Sequence, residues 1–523
     1  MNNWSPSVLK AVMNDLENSE VYFELVTKLQ DLIIDPNVTA ESLEANMRQV
    51  VEESGYKQKI QNLVYRYLMR HPNLNETLPN AKDPLDFILK AQSNWERRMY
   101  KSLNNMCNEL GIALSRKRPV SEQKELEAKW TELGTEDMDL TRFRPVYSPK
   151  DFLEVLVNIR SSNTLQANIN QSVALWGQIK VSLKVKDYKN RNEYEELSTN
   201  VSHLGVDDCP VLNTDTSNSF LHERVTLGKK VLQAGDALLA REFSKRGCPS
   251  SLRGELWRLI LCVETTDAEC LKFQHLKSCV FQHDLMIDKL IFKDVHLTAS
   301  NDDQYFVFED LLYQILLVFS RDTYVLDHFE YSSASPPKAP LRGKTGQEED
   351  MVVYPPNGVI PFHGFSMYVA PLCYLYEDPV TLYLVYRELY CRFFFRLHTV
   401  SSHTQGALAL CLLFELLLQE TEPELCHHLA SHDIQPLKVV IKWIMRAYSG
   451  YLAADQILLL WDQVLAYNSL EILGVLAAAI FSFRKPILLQ AENQATFGGM
   501  LVDVSSLRII PLLQGFLGTS SLI

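Results

Sequence analysis

An all-α protein with a mixed middle stretch is the fold that this sequence predicts, and three observations carry the expectation. Apolar residues recur at helical spacing near the N-terminus, as in Val21, Leu25, Leu29 and Leu32. From Arg246 to the end the chain is rich in aromatic and aliphatic runs of the same periodicity, and a single short segment, 179–185 (IKVSLKV), alternates as a strand does. The 523 residues are 46% hydrophobic, 22% charged and 10% aromatic, as in a soluble globular protein with chain enough for a sizeable core. At about 150 residues per domain, the length suggests roughly three domains, or two with one of them large.

The elements follow in order. Residues 1–112 read as a helical N-terminal module. A second amphipathic run there is Ile60, Leu63, Val64, Tyr67 and Leu68, with turns at Asp35-Pro36 and across 72–84. Residues 113–240 form a connector of mixed structure. It holds a helix opening at 121–125 and running through Trp130, a turn-rich stretch at 141–149, the alternating segment 179–185, and a polar loop at 198–218. Residues 247–483 form a helical domain, with strongly helical stretches at 291–300 and 305–320. A long break at 332–357 carries five prolines; a loop of that length inside a compact domain is usually functional or disordered.

Charge and composition exclude several functions. Lysine and arginine number 51 against 64 acidic residues, a formal charge of −13, and the densest basic cluster is Arg116-Lys117-Arg118. A nucleic-acid partner is not expected, because phosphate neutralisation needs a basic surplus. The longest apolar candidates for a membrane span, 472–483 and 407–419 (interrupted by Glu415), fall short of about 20 residues, so a transmembrane segment is not expected either. The N-terminus has no basic, then apolar, signal-peptide pattern. Ten cysteines are scattered from Cys107 to Cys426 without a C-x-x-C pair, the pattern of reduced thiols rather than a disulfide framework or metal site. A cytoplasmic location is the expectation.

The motifs begin at RGCPSSLRGELW. Gly247 and Pro249 make a turn, Ser250 or Ser251 can cap the next helix, and Arg253 and Trp257 fall one turn apart, where a guanidinium can lie over an indole. Farther on come Ile291-x-x-Asp294, Gly364-Phe365-Ser366-Met367 leading into Val369-Ala370-Pro371-Leu372, then His428-Leu429, Trp443 and Trp461-Asp462. Each piece alone reads as core packing. In this order the set resembles the TBC domain of Rab GTPase-activating proteins, over 247–483.

That resemblance implies an all-helical domain that binds a Rab-family small GTPase. Two side chains of the domain enter the partner's nucleotide site: an arginine from I-x-x-D-x-x-R and a glutamine from Y-x-Q. GTP and magnesium are held by the GTPase, so no cofactor or metal of this chain's own is implied. Here the sequence departs from the pattern twice. Ile291 and Asp294 are kept, but Leu297 stands in place of the arginine; Pro361 and His363 stand in place of the tyrosine and glutamine. Losing an arginine finger costs about 10³–10⁵ in rate. His363 can position a water, having one donor and one acceptor when neutral, or cap the helix that starts at Gly364. Substitute cations are Arg342, with Lys338 and Lys344, in the long break, and Lys293 and His296 inside the first motif. The expected function is GTPase activation of a weak or atypical kind, by a regulator of another protein's turnover. The alternative is a catalytically inactive Rab-binding adaptor or scaffold in membrane traffic, recruited peripherally to membranes through partners.

Overall fold

Apolar periodicity is met by helices through most of the chain. The computed structural model describes residues 10–519, apart from 11–12, 15, 35–38, 54, 71–85, 136–138, 160–176, 302, 330–338, 343–350 and, within 182–214, all but 183, 185, 194 and 197. Three helices, α1 (Glu20–Ile34), α2 (Ala40–Glu53) and α3 (Tyr56–Arg70), pack on one another. The long α4 (Asp86–Leu110) buries Trp95, Met99, Leu103 and Met106 along one stripe. Then come β1 (Ser115–Lys117), α5 (Val120–Ala128), α6 (Pro149–Asn158), α7 (Asp215–Ala234) and α8 (Ala237–Ser244).

The C-terminal half begins with α9 (Arg253–Leu261), α10 (Asp267–Gln282), β2 (His283–Leu285), α11 (Met286–Asn301), α12 (Glu309–Phe319) and α13 (Thr323–His328). A hairpin, β3 (Ala339–Arg342) and β4 (Met351–Tyr354), is followed by two 3₁₀ turns, Phe365–Tyr368 and Ala370–Tyr374. Next are α14 (Pro379–Arg392), α15 (Ala407–Thr421), α16 (Pro423–Ser431), α17 (Leu437–Met445), α18 (Ala454–Tyr467) and α19 (Glu471–Leu488). Two more helices, α20 (Gln494–Met500) and α21 (Ile509–Thr519), close the described chain. The apolar runs 407–419 and 472–483 become α15 and α19, which pack on each other deep in the core. Among the described residues no helix is long and apolar enough to cross a membrane.

One continuous core extends from Ile88 in α4 to Leu517 in α21. The N-terminal helices join it through α3, which packs on α8 and α14. There the Asn62 side chain donates to the Gly235 carbonyl (2.6 Å) and accepts from the Ala237 N–H (3.2 Å). The middle stretch is stitched in by β1, antiparallel to β2 with Arg116 opposite Asp284. The basic cluster is absorbed into ion pairs there: Arg116 with Glu122 and Asp284, and Arg118 with Asp284 and Asp288. Arg321 pairs with the same buried Asp288.

Three expectations need correction. The alternating segment 179–185 forms no strand at its described residues: Ile179 and Val181 are buried, but the N–H groups of Gln178 and Ile179 go to the Glu415 carboxylate (2.6 and 3.2 Å) instead of a neighbouring strand. Period-two burial needs only an extended chain over a core, so alternation alone does not specify a ladder. Second, the break at 332–357 holds the β3–β4 hairpin, with Arg342 opposite Met351 and β3 running beside α4. Third, the polar loop at 198–218 gives way to α7 from Asp215; its earlier residues lie outside the described ones.

Candidate functional site

Asp294 organises the site. It sits on the inward face of α11 and is 7% exposed, between buried Ile291 and buried Thr298. Oδ1 accepts from the Gly364 N–H (2.6 Å), and Oδ2 accepts from the Ser366 N–H and hydroxyl (both 2.8 Å). The hydroxyls of Thr298 and Ser366 are 2.7 Å apart. The free N–H groups at the start of the first 3₁₀ turn are thus capped by a carboxylate from another helix. Both halves of the motif pattern are locked together: the acid of the first holds the glycine of the second. This also corrects one reading of His363, because Asp294 does the capping.

Leu297 lies one turn beyond Asp294 on α11, partly buried. Its hydrocarbon side chain has no donor for a phosphoryl oxygen. His363 keeps 41% of its side chain exposed, its Nδ1 3.7 Å from Asp294 Oδ1, and its backbone N–H donates to the Tyr147 carbonyl (3.1 Å). Burial pushes the imidazole pKa down; Asp294 opposes this, while Arg446 and Lys293 add to it. The ring is therefore neutral near pH 7, with one donor and one acceptor.

Arg446, at the C-cap of α17, is the site residue that sequence reasoning missed. Its Nη2 donates to the His363 carbonyl (3.2 Å), and its guanidinium lies directly on Gly364. A Cβ there would sit 2.1 Å from Arg446 Nε, and the glycine has φ +98°. The Tyr451 ring lies 5.6 Å from the guanidinium carbon. The Tyr368 hydroxyl donates to the Met445 carbonyl, tying the first 3₁₀ turn to the residue before Arg446. Only its place three residues after Trp443 marked Arg446, and nothing in that spacing indicates a contact 83 residues away.

Two of the other candidate cations are engaged elsewhere. Lys293 Nζ donates to the Leu140 carbonyl (3.0 Å), and His296 faces Glu309 (3.6 Å). Arg342 lies in β3; its side chain, with Lys338 and Lys344, falls outside the described residues.

The site is backed by α4 and by Tyr147 of the middle stretch. Trp95 of α4 packs edge-on to Tyr147 (5.1 Å), which packs on Phe362 (6.0 Å), which packs on His398 (5.4 Å). His398 lies between the hydroxyls of Tyr147 (3.0 Å) and Tyr390 (3.1 Å), and burial pushes it down to about 3.

The remaining motif residues meet at a second place. Asp462, fully buried, accepts from the Cys248 N–H (3.0 Å), Arg253 Nε (3.1 Å) and Trp257 Nε1 (2.7 Å). Arg253 Nη2 donates to the Cys248 carbonyl (3.0 Å). What joins Arg253 to Trp257 is thus a shared carboxylate. Helix α9 begins at Arg253 with Leu252 at the N-cap and no side-chain cap, which corrects the expected role of Ser250 or Ser251. Gly247 has φ +82°, leading into the turn through Pro249. Trp461 lies 6.4 Å from Trp257 and 4.9 Å from Phe394, which stacks on Tyr368 (4.5 Å). Trp443 is buried between Tyr448 and Phe481. An aromatic path therefore runs from the Asp462 knot to the Asp294 site.

Among the described residues no group of three His, Cys, Asp or Glu side chains gathers as a metal site, and the nine described cysteines are unbridged. With no nucleophile–base pair in the motif set, the site offers placed hydrogen-bonding groups and charge.

The Rab-GTPase-TBC domain family matches residues 362–489, from Phe362 beside His363 to just past α19. Human TBC1 domain family member 19 is 50% identical over 514 residues, covering 98% of this chain and 97% of that protein, and so this chain belongs to the TBC domain family. Two solved structures are similar to it. One is the Chlamydomonas flagellar RabGAP TBC domain (TM-score 0.42, 13% identity, 61% of this chain and 96% of that one). The other is the Ypt/Rab-GAP domain of Gyp1p (TM-score 0.39, 12% identity, 57% and 96%).

Proposed function

We propose that this protein binds a GTP-loaded Rab-family GTPase through its TBC domain and accelerates GTP hydrolysis only weakly. The observation that carries this is Leu297: it follows Asp294 by one turn where the family motif has arginine, while Asp294 still holds Gly364 and Ser366. The scaffold that presents the two fingers is kept, and the arginine is gone. At about 10³–10⁵ in rate for an arginine finger, the loss is roughly 4–7 kcal/mol of barrier. In this reading neutral His363 positions the attacking water as an amide does, and GTP and magnesium belong to the partner. The protein is a regulator without a reaction of its own, acting in vesicle traffic from the cytoplasm and brought to membranes by its partners.

Single-turnover GTP hydrolysis across a Rab panel tests this: small stimulation of the Rabs that it binds is expected, far below that of a TBC protein with both fingers. Large stimulation of any one Rab overturns the weak-activator reading. A second reading, a Rab-binding adaptor without activity, is favoured by the same leucine and is chosen if bound Rabs are not stimulated at all.

A further inference from the structure

We propose that Arg446 supplies the positive charge that Leu297 lacks, reaching the partner's nucleotide from the end of α17 instead of from α11. This rests on the weak-activator reading and says which residue sustains the activity.

Arg446 is built into the site. Its guanidinium covers Gly364 and donates once to the His363 carbonyl, and the backbone just before it is tied to the first 3₁₀ turn by the Tyr368–Met445 hydrogen bond. Among the described residues no carboxylate lies within ion-pair distance of it, whereas Arg116, Arg118, Arg253, Arg321 and Arg387 all have one. Its Nε is sealed from solvent without a partner. The guanidinium's company is one carbonyl and the Tyr451 ring, neither of which neutralises its charge. What completes it is an anion arriving from outside the chain. The imidazole that faces the same space is neutral and contributes no competing charge.

Position fits as well. His363 adjoins Gly364, Gly364 is bonded to Asp294, and Leu297 is the next residue but two on α11. The guanidinium therefore lies beside the glutamine position, and Gly364 and Asp294 link it to the helix that carries the empty arginine position. In the reaction the bond from the γ-phosphorus to the β–γ bridging oxygen breaks, and its electron pair leaves with GDP. The water oxygen bonds to phosphorus, and the water's proton ends on the phosphate product or solvent. Arg446 neutralises charge on the phosphoryl oxygens during that exchange; Gly364, lacking a Cβ, leaves the guanidinium its place.

The experiment uses the full chain and the Rab that it stimulates most. Arg446→Met keeps length and removes charge. Expected is a loss of stimulation of about tenfold or more, with affinity for the GppNHp-loaded GTPase unchanged. The preference for the GDP–aluminium fluoride state over the GppNHp state should fall in parallel, which loss of a merely structural arginine would not produce. Leu297→Arg added to Arg446→Met should restore activity from the other side of the site. Unchanged rate and unchanged aluminium fluoride preference in Arg446→Met overturn the proposal and leave the activator reading standing. A wild-type chain that stimulates none of the Rabs it binds overturns both. Should Arg446→Met fail to unfold cooperatively, Arg446→Lys is read instead: a several-fold lower rate at equal affinity is expected, and an unchanged rate overturns the assignment.

Discussion

At Asp294 a single carboxylate accepts three hydrogen bonds, and these tie α11 to the first 3₁₀ turn. Replacing it by alanine strands two buried backbone donors and the Ser366 hydroxyl. Hydrogen bonds to charged groups are worth more than neutral ones, and unsatisfied buried donors cost their full desolvation. Asp294→Ala should therefore destabilise the protein by about 3 kcal/mol. Denaturant titration reads the total. Amide hydrogen exchange reads where it is lost, and faster exchange at Gly364 and Ser366 is the expected local sign. Protection there as strong as in the wild type would mean that another group caps the turn.

The Asp462 knot joins elements far apart in the chain: the turn before α9, α9 itself, and α18. Burial pushes the Asp462 pKa up and Arg253 opposes it. Such a pair is weak as net stabilisation, but removing one partner leaves a buried charge uncompensated. Asp462→Asn keeps the shape and strands Arg253, so a loss of about 3 kcal/mol is expected in denaturant titration. The knot reaches the Asp294 site through packed aromatic rings and the hydrogen bond from Trp461 Nε1 to the Ala447 carbonyl, not through its own carboxylate. At a temperature where the variant is folded, GTPase stimulation per bound complex should therefore match the wild type, and a selective loss of rate would give the knot a role beyond support.

Across the whole molecule, the middle stretch is part of the site's foundation. Tyr147 fixes the His363 backbone, and residues 178–179 are held by Glu415 of α15. Burial pushes Glu415 up to about 7, against the two N–H groups that favour its charged form. The folded chain thus binds a proton more tightly than the unfolded one. Glu415's contribution is complete below its unfolded value near 4.3 and is lost as pH rises through about 7. The change amounts to about 4 kcal/mol. Relative to Glu415→Gln, the wild type should lose stability between pH 5 and pH 8. Denaturation midpoints at the two pH values measure the difference, and parallel shifts in both proteins would exclude Glu415 as the titrating group.

Local pattern determined the helices: α1 and α3 were legible as stripes at 3.6-residue spacing, and α12, α15 and α19 as runs of apolar residues, each of which needs only its own segment to be read. The motif order also singled out Leu297 and His363, since both sit inside short patterns. Tertiary structure alone decided where the polar partners of those patterns lie. Asp462 closes on Arg253 and Trp257 from about two hundred residues away, Tyr147 supports His363, and Arg446 settles on Gly364. It likewise decided that the backbone of 178–179 binds a carboxylate and that the long break folds back as a hairpin. The reason is physical. Hydrophobic burial follows a repeating local pattern, whereas a hydrogen bond or an unpaired charge depends on which single atoms the packed helices bring within 3 Å, and no spacing along the chain encodes that.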